Sequence, residues 1–439
     1  MKTLITKISL IILLFLGLSS CVNEYGADCT SNTPDPNTTI LFLDMRSLSP
    51  SNATLPAEKI KTVRVIITAK SDAESGSDTP EEDVSSKNII ECNRLYELPV
   101  VDASNFSYTL TWSSTLGRKS VYVIANEEFI GNDLTAKLNE YEEMSASGDL
   151  EEWLEAYSFT PEYKISDNNI YLPYSYSKTD FIPLPGQVNS INCWLVPVAT
   201  KFVFKFQNKR NADVRINGIS MASVNSSSYL LPDIAPDAQY MEFDGESLYW
   251  PDWLAKVSQM SWNYPEFGEN EGFNQLYGWI TDYSVPDLSD SHVYTFVERN
   301  SSDVFDVPAA HEIETEDGKE TVPGSFTTRI FYLPESINFD IPDASSTLDS
   351  GNDEDEQRNQ SYYLTFELED LGSGTAPKLE NMLIPNLSSL FRNTFVVIQM
   401  VMVQGDIEIY AEIAPWNMKT ANGWLSEGNA PSNNPFENK

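Results

Sequence analysis

Apolar and polar residues alternate with a period of two through most of the chain, the spacing that puts every second side chain on one face of a β-strand. The first predicted strand, Ile40–Met45, is instead a short apolar run, Ile40-Leu41-Phe42-Leu43, ending at Asp44-Met45-Arg46. In KIKTVRVIITAK, Val63, Val65 and Ile67 alternate with Arg64, Ile66 and Thr68. FSYTLTW places Phe106, Tyr108, Leu110 and Trp112 on one face, and a turn at Gly117 predicts SVYVIAN as its hairpin partner. KFVFKFQNK and VRINGISMASV continue the pattern after residue 197. The clearest signal comes last. NTFVVIQMVMV and DIEIYAEIAPW flank Gln404-Gly405, a turn suited to a tight hairpin. Ile407, Ile409, Ala411 and Ile413 share one face of its second strand. Glu127–Phe159 departs from period two. There Leu134, Leu138 and Tyr141, then Leu150, Trp153, Leu154 and Tyr157, recur at helical spacing, which predicts two short helices covering a sheet edge or the end of a sandwich.

The opening MKTLITKISLIILLFLGLSSC has another pattern. Lys2 and Lys7 precede an apolar run, Ile8–Leu18, too short to span a bilayer as a stable helix. Small residues then lead directly into Cys21. This resembles the bacterial lipoprotein box, which implies a diacylglycerol on the Cys21 thiol and cleavage just before it. On that reading residues 1–21 are a signal peptide. The polar, proline-containing stretch 22–38 is a tether whose extended reach is at most about 55–60 Å. Two β-rich domains follow, 39–196 and 197–439, with the boundary at Val196-Pro197-Val198 and a polar tail after Trp416.

Composition narrows the functional classes. The net charge of −37 repels phosphate backbones and disfavours nucleic-acid binding, so no nucleic-acid partner is expected. Four cysteines include Cys21; among the other three, Cys92 and Cys193 could pair if their geometry allows. With two histidines and no CxxC there is no zinc-type ligand set, and the acidic NDEDEQ run lacks EF-hand spacing. No nucleophile elbow, phosphate-cradling glycine loop or dinucleotide fingerprint occurs. The expectation is a non-enzymatic protein without a cofactor or a metal. Ser301–Pro323 and Asp343–Arg358 read as acidic loops. Trp250, Trp253, Trp262 and Trp279 crowd a segment broken by Pro, Gly and Asn, and could stack on sugar rings.

Taken in order, several motifs resemble one family. EKIKTVRVIIT, FSYTLTW followed by GRKSVYVIANEEF, ATKFVFKF, RIFYLPES, SYYLTFELED and LFRNTFVVIQMVMVQGDIEIYAEIAPW, together with the lipobox, are similar to the fimbrillin-type lipoproteins of Bacteroides-like bacteria, the subunits of type V pili. The resemblance implies a mainly β fold of two tandem transthyretin-like β-sandwich domains, exported to the outer membrane on a lipid anchor. It also implies assembly with other fimbrial subunits by donor-strand exchange. In polymerising members a trypsin-like protease cuts after an arginine following the first strand. Here that bond would be Arg46–Ser47. The groove so opened would be lined by Val63, Val65 and Ile67. A donor strand carrying Ile407, Ile409, Ala411 and Ile413 would fill it, since an added strand satisfies both open backbone groups and apolar surface. The alternative is a surface lipoprotein that does not polymerise and binds host or bacterial glycans through the tryptophan cluster.

Overall fold

The computed structural model describes residues 38–48, 57–70, 88–163, 165–166, 169–234, 239–257, 283–284, 292–315, 318–337, 362–372, 376–384 and 389–415. The fold is mainly β.

Eleven strands and three helices set the frame of the amino-terminal half and its neighbour. They are β1 (Thr38–Ser47), β2 (Ala57–Ala69), β3 (Ile89–Asp102), β4 (Ser107–Thr115), β5 (Lys119–Ala125), α1 (Asn132–Leu138), α2 (Leu150–Ala156), β6 (Ser158–Phe159), β7 (Tyr174–Phe181), β8 (Val188–Pro197), β9 (Thr200–Asn208), β10 (Val214–Val224) and, after β11 (Ser228–Tyr229), α3 (Trp250–Val257). One sheet runs β4-β1-β8. At Val196 and Pro197 strand β8 passes over to β7, and a second sheet continues β7-β5-β2-β3. The two face each other across one core. Leu41, Leu43, Met45, Ile191, Cys193 and Leu195 pack from the first sheet against Val63, Val65, Ile67, Val121 and Val123 of the second.

Strand β2 is buried on both faces, which accounts for its apolar content on both sets of alternate positions. Val63, Val65 and Ile67 face the sandwich core. Ile66 belongs instead to a cluster with Leu134, Leu138, Leu150 and Leu154. The two short helices therefore cover the outer face of the second sheet, not an edge or an end. Arg64 points into the same layer. Its guanidinium is paired with Glu127 at 2.6 Å and donates to Asn93 and Asn139, so a buried charge keeps its hydrogen bonds.

The hairpin expected between FSYTLTW and SVYVIAN does not form. Strand β4 pairs with β1, whereas β5 lies between β2 and β7 in the other sheet. Burial explains the parting. All seven residues of β5 are buried and need a central position, while β4 alternates between exposed and half-buried from Ser107 to Ser113 and suits an edge. Gly117, at φ 103°, turns the chain between the sheets.

The second sandwich adds β12 (His292–Val297), β13 (Phe305–Val307), β14 (Gly324–Thr327), β15 (Phe331–Leu333), β16 (Tyr363–Asp370), β17 (Lys378–Leu383), β18 (Thr394–Val403) and β19 (Asp406–Pro415). One sheet has β9 between β18 on one side and β14 with β15 on the other, and β19 lies outside β18. The facing sheet holds β10 between β16 and the pair β12 and β13, with β17 outside β16. Phe202, Phe204, Phe206, Ile216, Phe366, Val396 and Ile398 fill the space between them. The stretch read as the first acidic loop carries β13 and an exposed two-stranded hairpin, His311–Thr315 with Gly318–Val322. Asp343–Arg358 lies outside the described residues.

Candidate assembly site

Strand β1 is the middle strand of its sheet. It runs antiparallel to β4, with Leu41 opposite Trp112, Leu43 opposite Leu110 and Met45 opposite Tyr108. On its other side it runs parallel to β8, from Ile40 beside Val188 to Ser47 beside Leu195. Leu41, Leu43 and Met45 are wholly buried, and Ile40 and Arg46 face outward. Taking β1 away would leave two facing strand edges and an apolar trench whose floor includes Val63, Val65 and Ile67.

Both ends of β1 are held by side chains. At the start, the Thr39 hydroxyl donates to the Leu184 carbonyl at 3.0 Å, with the Gln187 carbonyl 3.1 Å away. The Asn189 amide in turn donates to Thr39 at 2.7 Å. At the far end Arg46 pairs with Asp44 at 3.0 Å and lies 5.9 Å from the centre of the Trp194 ring. The Trp194 indole donates to Asp252 on α3. The Arg46–Ser47 bond does not follow the strand, as the pattern Ile40–Met45 suggested. The ladder continues through Ser47, and the Leu48 amide still donates to the Leu195 carbonyl at 3.0 Å. A protease cleft binds its substrate as an isolated extended segment, so this end of β1 must leave the ladder before the bond can be cut.

Strand β19 is engaged too. It pairs with β18 from Asp406 opposite Val403 to Pro415 opposite Thr394, with Ile413 opposite Val396. Ile407, Ile409 and Ala411 pack, partly buried, against the core of the second sandwich. As a donor it would have to exchange this ladder for another.

The tryptophan cluster does not form the expected stacking surface where it is described. Trp250 and Trp253 are 2% and 0% exposed. They stand on α3, which packs against β8, and Trp250 meets Phe391 edge-on at 6.3 Å. Tyr249, just before the helix, meets Tyr176 edge-on and donates to the Ser177 carbonyl at 2.6 Å. These rings join the two sandwiches and leave no face for a sugar. Trp262 and Trp279 lie outside the described residues, as does Cys21. Cys92 and Cys193 are separate buried thiols, not a disulfide. Burial pushes the Cys92 thiol up to about 12 and raises that of Cys193 as well, so neither is a thiolate at neutral pH.

Sequence reasoning missed a polar cluster behind β4. Glu91 on β3 is buried, pairs with Lys119 at 2.9 Å, and accepts from the Ser114 hydroxyl and from the Thr115 amide and hydroxyl. Burial alone would raise its pKa. The hydrogen bonds from Ser114, Thr115 and Lys119 outweigh that and hold the carboxyl below its ordinary value. The only signal in the sequence was a glutamate within an otherwise apolar Ile89–Cys92.

No protein-family model matches the chain, and no curated protein matches it in sequence. The solved structures it is similar to are fimbrial and cell-adhesion proteins of Bacteroidetes, at low sequence identity. One is the tip fimbrial protein Mfa3 of Porphyromonas gingivalis with a C-terminal truncation, at 10% identity over 86% of this chain and 100% of that one, with a TM-score of 0.43. A fimbrial assembly protein of Parabacteroides distasonis has 10% identity over 86% and 98%, with a TM-score of 0.37. The fimbrial anchor protein Mfa2 of Porphyromonas gingivalis has 10% identity over 86% and 98%, with a TM-score of 0.32.

Proposed function

We propose that this protein is a structural subunit of cell-surface fimbriae, lipidated at Cys21 and carried to the outer membrane, whose β1 occupies a slot that another subunit's strand can take. The observation that carries the reading is the position of β1. It is the first strand among the described residues and the middle strand of its sheet, with Leu41, Leu43 and Met45 wholly buried. On this reading 39–196 and 197–439 are two transthyretin-like domains, and the first is the acceptor. Cutting Arg46–Ser47 frees β1 with its tether. The trench then left open carries unpaired backbone groups, at roughly 1–3 kcal/mol for each one buried without a partner. It also exposes apolar surface worth about 25 cal/mol per Å² when covered again. A donor must run antiparallel to β4 and alternate its apolar residues as β1 does. Ile407, Ile409, Ala411 and Ile413 of β19 meet the second condition. The glycan-binding reading loses the two tryptophans that are buried on α3.

The test is assembly of the full chain after mild trypsin-like proteolysis. Wild type should form ladders on unheated gels, Arg46→Ala should form no ladder and stay lipid-bound, and truncation before Asp406 should abolish the ladder without blocking the cut. Ladders formed by uncut Arg46→Ala protein would refute the mechanism.

A further inference from the structure

Strand β4 ends its sheet, and its outer edge has no strand partner among the described residues. Proteins defend such edges with charges, prolines or bulges, because open N–H and C=O groups invite another strand. From Ser107 to Thr115 the strand itself carries no charged residue and no proline and keeps an unbroken register with β1; the charges near it come from β3, where Glu91 accepts from the Thr115 amide and Arg94 lies 4.8 Å from the centre of the Trp112 ring. That is unusual in a chain of net charge −37.

The order of its residues says what the edge fits. Ser107-Tyr108-Thr109-Leu110-Thr111-Trp112-Ser113 is a chemical palindrome centred on Leu110. Paired antiparallel with a second copy about that centre, it sets Thr109 opposite Thr111, Tyr108 opposite Trp112, and serine opposite serine. Each is a favourable or neutral cross-strand pair, and no like charges meet. Thr109 and Thr111 are exposed, while Tyr108, Leu110 and Trp112 are half-buried against the first core. We infer that β4 is a self-association edge, through which two copies of this chain join their first sheets into one continuous sheet about a two-fold axis.

Such a contact uses the same patch on both copies and closes as a dimer instead of propagating as a fibre. It needs neither removal of β1 nor any exchange of strands, so it stands apart from the fimbrial reading. The two polyanions repel at long range, and salt screens that repulsion beyond about 10 Å at 0.1 M. Pairing should therefore strengthen with added salt.

The experiment uses the full chain in mild detergent, with Cys21→Ser and Cys29→Ser to remove stray thiols. Antiparallel partners have Cα atoms about 4.5–5.5 Å apart, within the span of a disulfide. A Thr109→Cys protein mixed with a Thr111→Cys protein should give a disulfide-linked dimer under mild oxidation, and neither alone should do so. Sedimentation should show a concentration-dependent dimer that grows with salt. Thr109→Lys combined with Thr111→Lys, both at exposed positions, should weaken it by roughly tenfold or more. A chain that stays monomeric, or that cross-links equally well with either cysteine variant alone, overturns the proposal. So does a dimer unaffected by the two lysines, which would point to another surface.

Discussion

Glu91 is the residue on which the corner between the two sheets depends. It sits on β3, takes its hydrogen bonds from the end of β4 and is paired with Lys119 of β5, so three strands meet on one carboxylate. Its folded pKa lies below the ordinary 4.5. Between the folded value and 4.5 the unfolded chain therefore binds more protons than the folded one, and stability rises with pH. The contribution is fully present above 4.5 and is lost as pH falls through the folded value. Glu91→Gln should lower the melting temperature at neutral pH and flatten its decline over that acid window, as thermal unfolding across pH 3–7 would show. An unchanged acid slope in the variant would mean the carboxylate is not the titrating group. The same side chain also accepts from the Thr115 amide, at the point where β4 leaves β1. Losing the charge there should loosen the end of the edge strand first.

At the scale of the element, β1 is held along both sides and at both ends. Its response to a protease is therefore set by how often it opens, not by how accessible its sequence looks. Met45→Ala removes a wholly buried side chain beside Arg46 and should cost about 2–5 kcal/mol. Cleavage at Arg46 should then speed up markedly under limited trypsin, while cleavage at Arg299, on an exposed turn, should change little. Equal acceleration at both sites would mean global unfolding and not release of β1. The strand itself was legible as the short apolar run at Ile40–Met45, and the final hairpin, β18 to Gln404-Gly405 to β19, as two apolar-rich runs flanking a glycine turn, the second of them alternating as a half-buried strand does. Legibility failed where burial is polar. Strand β3 mixes Glu91, Asn93 and Arg94 with apolar residues because its first half serves a polar network, and no period emerges. Partner choice failed at β4, since nearness in sequence favours a hairpin and only the burial of β5 shows otherwise. The tryptophans at 250 and 253 misled for a simpler reason: aromatic crowding marks a packed junction as readily as a binding face.

For the molecule as a whole, the question is whether the two sandwiches behave as one unit. Ile330 and Tyr332 from the second complete the first core, and Leu230 and Leu231 join the helix layer behind it. Strand β6 pairs with β11 across the junction. Two buried ion pairs span or border it. Glu58 of β2 binds Lys201 of β9. Arg392 holds Glu335 through two nitrogens at 2.8 and 2.5 Å, and also donates to Ser175 of β7 and to the carbonyls of Tyr229 and Leu230. Removing Arg392 would leave Glu335 charged and buried without its partner, a change that typically costs about 3–5 kcal/mol. Neither ion pair involves β1, nor does the pairing of β6 with β11, so these links would survive loss of that strand. The expectation is one cooperative transition in wild type, with hydrogen-exchange protection of β5 and β18 lost at the same urea concentration. Arg392→Ala should shift both midpoints downward together, because Arg392 bonds to both sides of the junction and its loss is felt by both cores. If β18 alone lost protection in the variant while β5 kept its wild-type midpoint, the sandwiches would be independent folding units, and the shared core residues would contribute only local packing.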